Sequence, residues 1–224
     1  MHPNVSTNEP IPESFEELQF FGGANYHRGI EWYSKRFTAA HVVFDKSATY
    51  FDNPSAAKQA FALVPNAKIV VILYDPTRRA YSCYTHHLDR WLELYPLSNL
   101  ILIDGERLRE EPATVLLELA ENLGLPDFDF KNRIRFSASK GFFCQVSKEK
   151  TKCLGRGKGR AYPPMSPELW SRLNNIFLPD NTALHKFLVK KSLTCAKMVT
   201  SAVRRMTNNR PINMCREVLM AVAC

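Results

Sequence analysis

Two short, continuously apolar runs constrain the fold of this chain more than any other feature. Lys68–Tyr74 reads KIVVILY and Asn99–Ile103 reads NLILI, and each run stops at a turn sequence, Asp75-Pro76 or Asp104-Gly105. Uninterrupted apolar runs of this length are typical of strands that are buried on both faces. Helix signals alternate with these strands, so the sequence predicts an α/β fold with a central parallel sheet flanked by helices.

The helices are predicted from their start and stop signals. Asn53-Pro54 opens a helix over Ser55–Val64, and a second helix over Thr77–Leu94 follows the first apolar strand. A third helix begins at Pro112 and ends before Gly124, because proline is favoured in the first helical turn and glycine after the last one.

The composition favours a polyanionic partner. The chain has 224 residues, a formal net charge of +8 and 45% hydrophobic residues, which describes an ordinary globular protein. The charge suits nucleic acid, acidic lipid or a sulfated sugar. The sequence has no RNA-recognition, helix-turn-helix or zinc-finger pattern, which argues against nucleic acid. It also has no apolar run of the about 18 residues that a membrane span needs.

A cysteine-bracketed basic segment, Lys140–Pro163, is the most distinctive motif. Its Cys144 and Cys153 are spaced for a local disulfide, which would indicate an oxidising compartment, and two free thiols are the alternative. Glycines alternate with basic residues in the loop that follows: Gly155, Arg156, Gly157, Lys158, Gly159 and Arg160. Such a loop favours a bound phosphate or sulfate, and a solvated basic hairpin is the alternative.

A second candidate anion site follows the first apolar strand. Arg79 and Ser82 lie three residues apart near the start of the predicted helix, so they share a helix face beside free N–H groups. An N-terminal turn with solvated arginines is the alternative. The chain has neither the nucleotide-binding P-loop motif nor the Rossmann glycine pattern, so hydrolysis of a nucleoside triphosphate is not expected. No histidine pair or cysteine spacing predicts a metal site.

Four segments together resemble the sulfotransferase domain of the heparan sulfate N-deacetylase/N-sulfotransferase family. They are Ser14–Trp32, Phe44–Phe51 (FDKSATYF), Ile69–His86 and Lys140–Pro163. The resemblance extends over about residues 1–187. It implies the sulfotransferase fold, which is similar to that of P-loop NTPases. It also implies 3′-phosphoadenosine 5′-phosphosulfate (PAPS) as the sulfuryl donor and the glucosamine amine of heparan sulfate as the acceptor.

The resemblance also implies roles for single residues. Glu17 matches the family's catalytic glutamate, which takes the proton from the attacking amine, and the neighbouring Glu16 is the alternative. His86 matches a histidine near the transferring sulfate, and Lys158 a lysine near the sulfate and the acceptor. Two residues of FDKSATYF are candidates for contacts in the substrate cleft: Lys46 and Tyr50.

The donor site is implied in the same way. Arg79 and Ser82 match the 3′-phosphate site, and the loop from Gly155 to Arg160 matches the segment that wraps the nucleotide. Phe143 stands where the family has a tryptophan near the donor, and its ring could stack on adenine.

The chain departs from the family pattern in three places. The family loop Pro-Lys-Thr-Gly-Thr-Thr, which grips the 5′-phosphosulfate, has no counterpart before Met1-His2-Pro3. A segment is missing after His86-His87, and the sequence after Phe187 does not match. The prediction is therefore an incomplete sulfotransferase domain over residues 1–187 and a divergent basic tail over 188–224. Without the loop, PAPS binding is expected to weaken by orders of magnitude, because several charge-assisted hydrogen bonds of about 1.5–3 kcal/mol each are lost.

These departures leave alternatives to the N-sulfotransferase. One is a remnant that binds heparan or nucleotide without catalysis, and the other is a heparan O-sulfotransferase. The family works in the Golgi lumen, so that compartment is expected here, although the family's deacetylase half and membrane anchor are absent from the sequence.

Overall fold

The computed structural model describes residues 2–12, 17–74, 84–147, 150–153, 164–191 and 220–223. The strands are β1 (Val5–Thr7), β2 (Val42–Lys46), β3 (Lys68–Leu73), β4 (Leu100–Asp104), β5 (Ile134–Ser137), β6 (Phe142–Val146), β7 (Thr151–Lys152) and β8 (Met220–Ala223). The α-helices are α1 (Gly29–Ser34), α2 (Pro54–Leu63), α3 (Tyr84–Leu92), α4 (Gly105–Glu110), α5 (Pro112–Asn122) and α6 (Pro167–Lys190).

The main sheet has the strand order β1-β2-β8-β3-β4. Strand β1 pairs with β2 in parallel, with Val5 opposite Val42. Strand β8 is antiparallel to both β2 and β3, so β2 and β3 run in the same direction. The predicted parallel arrangement is confirmed for β1, β2 and β3, whereas β8 was not predicted and makes the sheet mixed.

The two apolar runs form the strands that the sequence predicts. Residues 69–73 of β3 and all residues of β4 are buried. Strands covered on both faces are mostly apolar, because a polar side chain there loses its contact with water unless it finds hydrogen-bond partners, as Asp104 does at the end of β4. The continuous apolar pattern therefore reflects the burial of these two strands.

Helix starts follow capping chemistry. The Asn53 side chain accepts a hydrogen bond from the Ser55 N–H at 2.9 Å, and Pro54 occupies the first turn of α2. Helix α4 was not predicted, and Asp104 begins it by accepting bonds from the N–H groups of Glu106 and Arg107. Helix α3 falls within the predicted Thr77–Leu94 helix, and residues 75–83 lie outside the described part of the chain.

The chain divides into two compact units. The first comprises Met1–Ile72, Cys83–Leu102 and Glu217–Cys224, and the second comprises Leu73–Ser82 and Ile103–Arg216. The second unit contains the small antiparallel sheet β5-β6-β7 and the long helix α6. Helix α6 runs without interruption through residue 188, where the sequence places the start of the tail, and Leu188 is buried.

Trp91 and its neighbours fix helix α3 in the first unit. The Trp91 ring stacks on Tyr95 with 5.9 Å between ring centroids, and its indole N–H donates to the Phe51 carbonyl at 3.4 Å. Trp91 and Phe51 are both buried. The core thus joins α3 to the turn that follows β2.

Candidate active site

Glu17 is held against the turn that follows β2. Its carboxylate accepts a hydrogen bond from the Ala48 N–H at 3.3 Å, and its Oε1 lies 3.9 Å from the Lys46 ammonium nitrogen. The Glu17 side chain is 22% exposed and that of Lys46 is 26% exposed. A carboxylate that is fixed at one side and open at the other can accept a proton from a bound substrate.

The backbone after Glu17 is attached to the same turn. The Gln19 N–H donates to the Ser47 hydroxyl at 3.0 Å, and the Phe20 N–H donates to the Tyr50 hydroxyl at 3.1 Å. Gln19 has a φ of 47°, in the left-handed region that non-glycine residues rarely adopt. These bonds hold the segment from Glu17 to Phe20 in a defined conformation.

Asp45 lies at the centre of the buried polar groups behind this turn. Its Oδ2 accepts hydrogen bonds from the hydroxyls of Tyr33 at 2.9 Å and Tyr50 at 2.8 Å. Burial raises the pKa of Asp45 to about 6, although the two tyrosine hydrogen bonds oppose the rise. Burial also raises the pKa of Tyr50, so its hydroxyl keeps the proton that it donates.

The raised pKa of Asp45 predicts a pH-dependent stability. The folded chain holds this proton more tightly than the unfolded chain, so the stabilisation is complete below about pH 4 and is lost as the pH rises through 6. The stabilisation that is lost over this pH range amounts to about 2–3 kcal/mol. Urea unfolding of the wild type and of Asp45→Asn at several pH values measures it. Relative to the Asn variant, the wild type should lose stability between pH 4.5 and 7.5; a constant difference would contradict the prediction.

Sequence reasoning missed the Asp45 group of residues. A carboxylate inside an otherwise apolar strand is uncommon, and that signal is present in the VVFDK sequence of β2. Tyr50 was expected to contact substrate, but its side chain is fully buried. Its hydroxyl donates a hydrogen bond to Asp45 and accepts one from the Phe20 N–H. Its predicted role therefore changes from a direct contact to support of the turn.

His86 lies on α3 and is held by Arg90 one turn further along the helix. An Arg90 Nη2 is 3.1 Å from His86 Nε2, and Arg90 Nη1 donates to the Asp52 carbonyl at 2.8 Å. A guanidinium has only donors, so Nε2 of His86 must be the acceptor and its Nδ1 carries the proton. Burial lowers the pKa of the neighbouring His87, and the charge of Arg90 lowers it further.

The structure brings part of the predicted site together. Glu17 contacts Lys46 and Ala48. Arg90 contacts both His86 and the carbonyl of Asp52, and Asp52 lies in the same connection between β2 and α2 as Ala48. Eight predicted donor-binding residues lie outside the described part of the chain: Arg79, Ser82, Gly155, Arg156, Gly157, Lys158, Gly159 and Arg160.

The cysteine-bracketed segment belongs to the second unit. Cys144 on β6 and Cys153 after β7 form the predicted disulfide, with 4.6 Å between their Cα atoms. Phe143 packs edge-on against Phe136 of the paired strand, at 5.3 Å between ring centroids. Phe136 remains 54% exposed. An aromatic surface is therefore present beside the disulfide.

Removing the disulfide should destabilise the second unit. The bridge closes a loop over a sequence separation of 9, for which loop entropy predicts about 2–3 kcal/mol. Cys144→Ser with Cys153→Ser is expected to lower the free energy of unfolding by that amount in non-reducing buffer. Adding dithiothreitol to the wild type should reproduce the loss. An unchanged unfolding midpoint in both experiments would contradict the prediction.

The described ranges of the chain contain no group of three or more histidine, cysteine or acidic side chains that could hold a metal ion. Nor does any helix within those ranges combine the length and apolar character of a membrane span.

Comparisons with known proteins agree with the residue patterns. A family model described as a sulfotransferase domain matches residues 84–188. Bifunctional heparan sulfate N-deacetylase/N-sulfotransferase 1 of Caenorhabditis elegans is 45% identical over 91% of this chain, and the protein of the same name from Caenorhabditis briggsae is 46% identical over 91%. Human bifunctional heparan sulfate N-deacetylase/N-sulfotransferase 3 is 38% identical over 85%.

The relatives are much longer than this chain. The matches cover 29% of each nematode protein and 28% of the human one, so the chain spans less than a third of their length. The alignment with the Caenorhabditis briggsae protein has 252 positions, more than the 224 residues of the chain. That relative therefore has residues with no counterpart here.

A solved structure supports the fold. The crystal structure of a sulfotransferase from Alicyclobacillus acidocaldarius superposes with a TM-score of 0.59 over 84% of this chain and 86% of that one. The two sequences are 16% identical. At this identity the likeness confirms the α/β sulfotransferase fold alone.

Proposed function

We propose that this chain, which carries a sulfotransferase domain related to that of the heparan sulfate N-deacetylase/N-sulfotransferases, transfers a sulfuryl group to the glucosamine amine of heparan sulfate. The observation that carries the proposal is Glu17, a partly exposed carboxylate held by the Ala48 N–H beside the Lys46 ammonium. The sequence block around it resembles the family's block for the catalytic base.

Glu17 would act on the acceptor. As the glucosamine nitrogen forms its bond to sulfur, the bond from sulfur to the donor's phosphate oxygen breaks, and the nitrogen must lose a proton. The Glu17 carboxylate is the base proposed to take it. Lys46, whose charge lies 3.9 Å from Glu17, would also attract the acidic heparan chain.

PAPS is the proposed donor, and it would supply an activated sulfuryl group on a good leaving group. Arg79 and Ser82 are proposed to hold its 3′-phosphate, with the loop from Gly155 to Arg160 around the nucleotide. Calorimetry with 3′-phosphoadenosine 5′-phosphate tests this. Arg79→Ala should weaken binding about 10- to 100-fold, the value of a hydrogen bond to a charged group. The matched control is Arg78→Ala, which should change binding less; equal effects would contradict the assignment.

The acceptor test uses two polysaccharides. The chain should transfer radiolabelled sulfate from PAPS to N-deacetylated heparosan and not to fully N-acetylated heparosan. Equal transfer to both would identify a heparan O-sulfotransferase instead. Transfer to neither, in the presence of measured donor binding, would overturn the proposal.

A non-catalytic heparan binder is the second candidate, and the net charge of +8 favours it. Heparin affinity is then the whole activity, so it should survive Glu17→Gln while the wild type transfers no sulfate. The proposed compartment, the Golgi lumen, agrees with the Cys144–Cys153 disulfide, because such bonds persist in oxidising compartments.

A further inference from the structure

Asp45 lies behind the candidate base, and the two are connected through one turn. Glu17 accepts from Ala48, and Gln19 and Phe20 donate to Ser47 and Tyr50. The position of the turn is fixed in part by the Tyr50 hydroxyl, which donates a hydrogen bond to Asp45 in the preceding strand, β2. Movement of Tyr50 would therefore move the backbone that carries Glu17.

The direction of these hydrogen bonds depends on the carboxylate. An ionised Asp45 has only acceptors, so both tyrosine hydroxyls must donate to it. Once the Tyr50 proton points to Asp45, the lone pairs of its oxygen are left for the Phe20 N–H, which lies 3.1 Å away. A neutral apolar residue at position 45 would not fix this orientation.

Asp45 is costly for stability. Its residue surface is 1% exposed, so the carboxylate is held away from water. Burying a carboxylate is unfavourable, and an apolar replacement of similar volume is often more stable. A role outside folding accounts for a group of this kind at this place.

We infer that Asp45 is a positioning residue for Glu17, acting through the Tyr50 hydroxyl and the Phe20 N–H. The inference rests on the proposed function, in which Glu17 is the base. It adds a buried determinant of catalysis that does not touch substrate.

The two tyrosines offer a matched pair of variants. Tyr33→Phe and Tyr50→Phe each remove one donor to the same Asp45 oxygen, at 2.9 and 2.8 Å. Only Tyr50 also accepts from the Phe20 N–H. Tyr50→Phe should lower kcat for N-deacetylated heparosan about tenfold with little change in KM. Tyr33→Phe should lower kcat by less than about threefold.

Hydrogen exchange of the Phe20 amide provides a readout that needs no activity. Its exchange should be about tenfold faster in Tyr50→Phe and faster in Asp45→Asn, with a smaller change in Tyr33→Phe. Unchanged Phe20 exchange in Tyr50→Phe, or equal kcat losses in the two phenylalanine variants, would overturn the inference. If the wild type transfers no sulfate, the proposed function fails, and the exchange result still decides whether Asp45 orders the Glu17 segment.

Discussion

Glu17→Gln is expected to lower kcat for sulfuryl transfer by about 10²- to 10⁴-fold, because an amide cannot take the proton from the attacking amine. Glutamine has the shape of glutamate, and its carbonyl oxygen can still accept from the Ala48 N–H. The substitution therefore removes the base while leaving its position nearly unchanged. Steady-state transfer to N-deacetylated heparosan measures the loss, and calorimetry with the donor product should show unchanged affinity.

Glu16→Gln is the matched control for this substitution. It makes the same chemical change one residue earlier and tests the alternative base. If Glu16→Gln abolishes transfer and Glu17→Gln does not, the assignment moves to Glu16. A Glu17→Gln variant with wild-type kcat would exclude Glu17 as the base whatever the control shows.

Trp91→Ala is expected to give the largest loss of stability, about 3–5 kcal/mol. The side chain is 1% exposed, stacks on Tyr95 and donates to the Phe51 carbonyl, so its removal leaves a cavity and a buried carbonyl without its donor. For a protein of this size the loss corresponds to a decrease in Tm of about 6–20 °C. Calorimetric or fluorescence-monitored unfolding measures it.

Trp170→Ala provides the comparison for Trp91→Ala. Trp170 lies on α6 and is only half-buried, so the same change in volume should cost about 1–2 kcal/mol. Equal losses for the two variants would show that the packing around Trp91 is looser than the structure indicates.

The elements that the sequence predicted have strong local signals. Strands β3 and β4 are apolar except for Lys68 at the start of β3 and Asp104 at the end of β4. Helix α2 starts at an asparagine cap followed by proline. In these segments local preference and tertiary packing favour the same structure, so the sequence alone was sufficient.

The elements that were missed lack a strong apolar pattern in the sequence. Helix α4 is short and highly charged, so no apolar period marks it, and its start is visible only in the Asp104 hydrogen bonds. Strand β8 is four residues long, and its extended conformation depends on its pairing with the distant strands β2 and β3.

The residues around the candidate site also differ in how far the sequence predicts them. Glu17 and His86 are predicted from sequence blocks, and the structure shows which groups contact each of them. Asp45 and Tyr33 were not predicted, because the hydrogen bond between them joins β2 to α1, and such a pair has no contiguous motif in the sequence.

The central position of β8 sets the order in which the protein can fold. Strands β2 and β3 leave the ribosome roughly 150 residues before β8, which is about 7 to 30 seconds at ordinary elongation rates. Until then the edges that β8 will join have unpaired N–H and C=O groups, which attract other strands. The nascent sheet is therefore exposed to aggregation until β8 has been synthesised, and a holding chaperone would protect it during that interval.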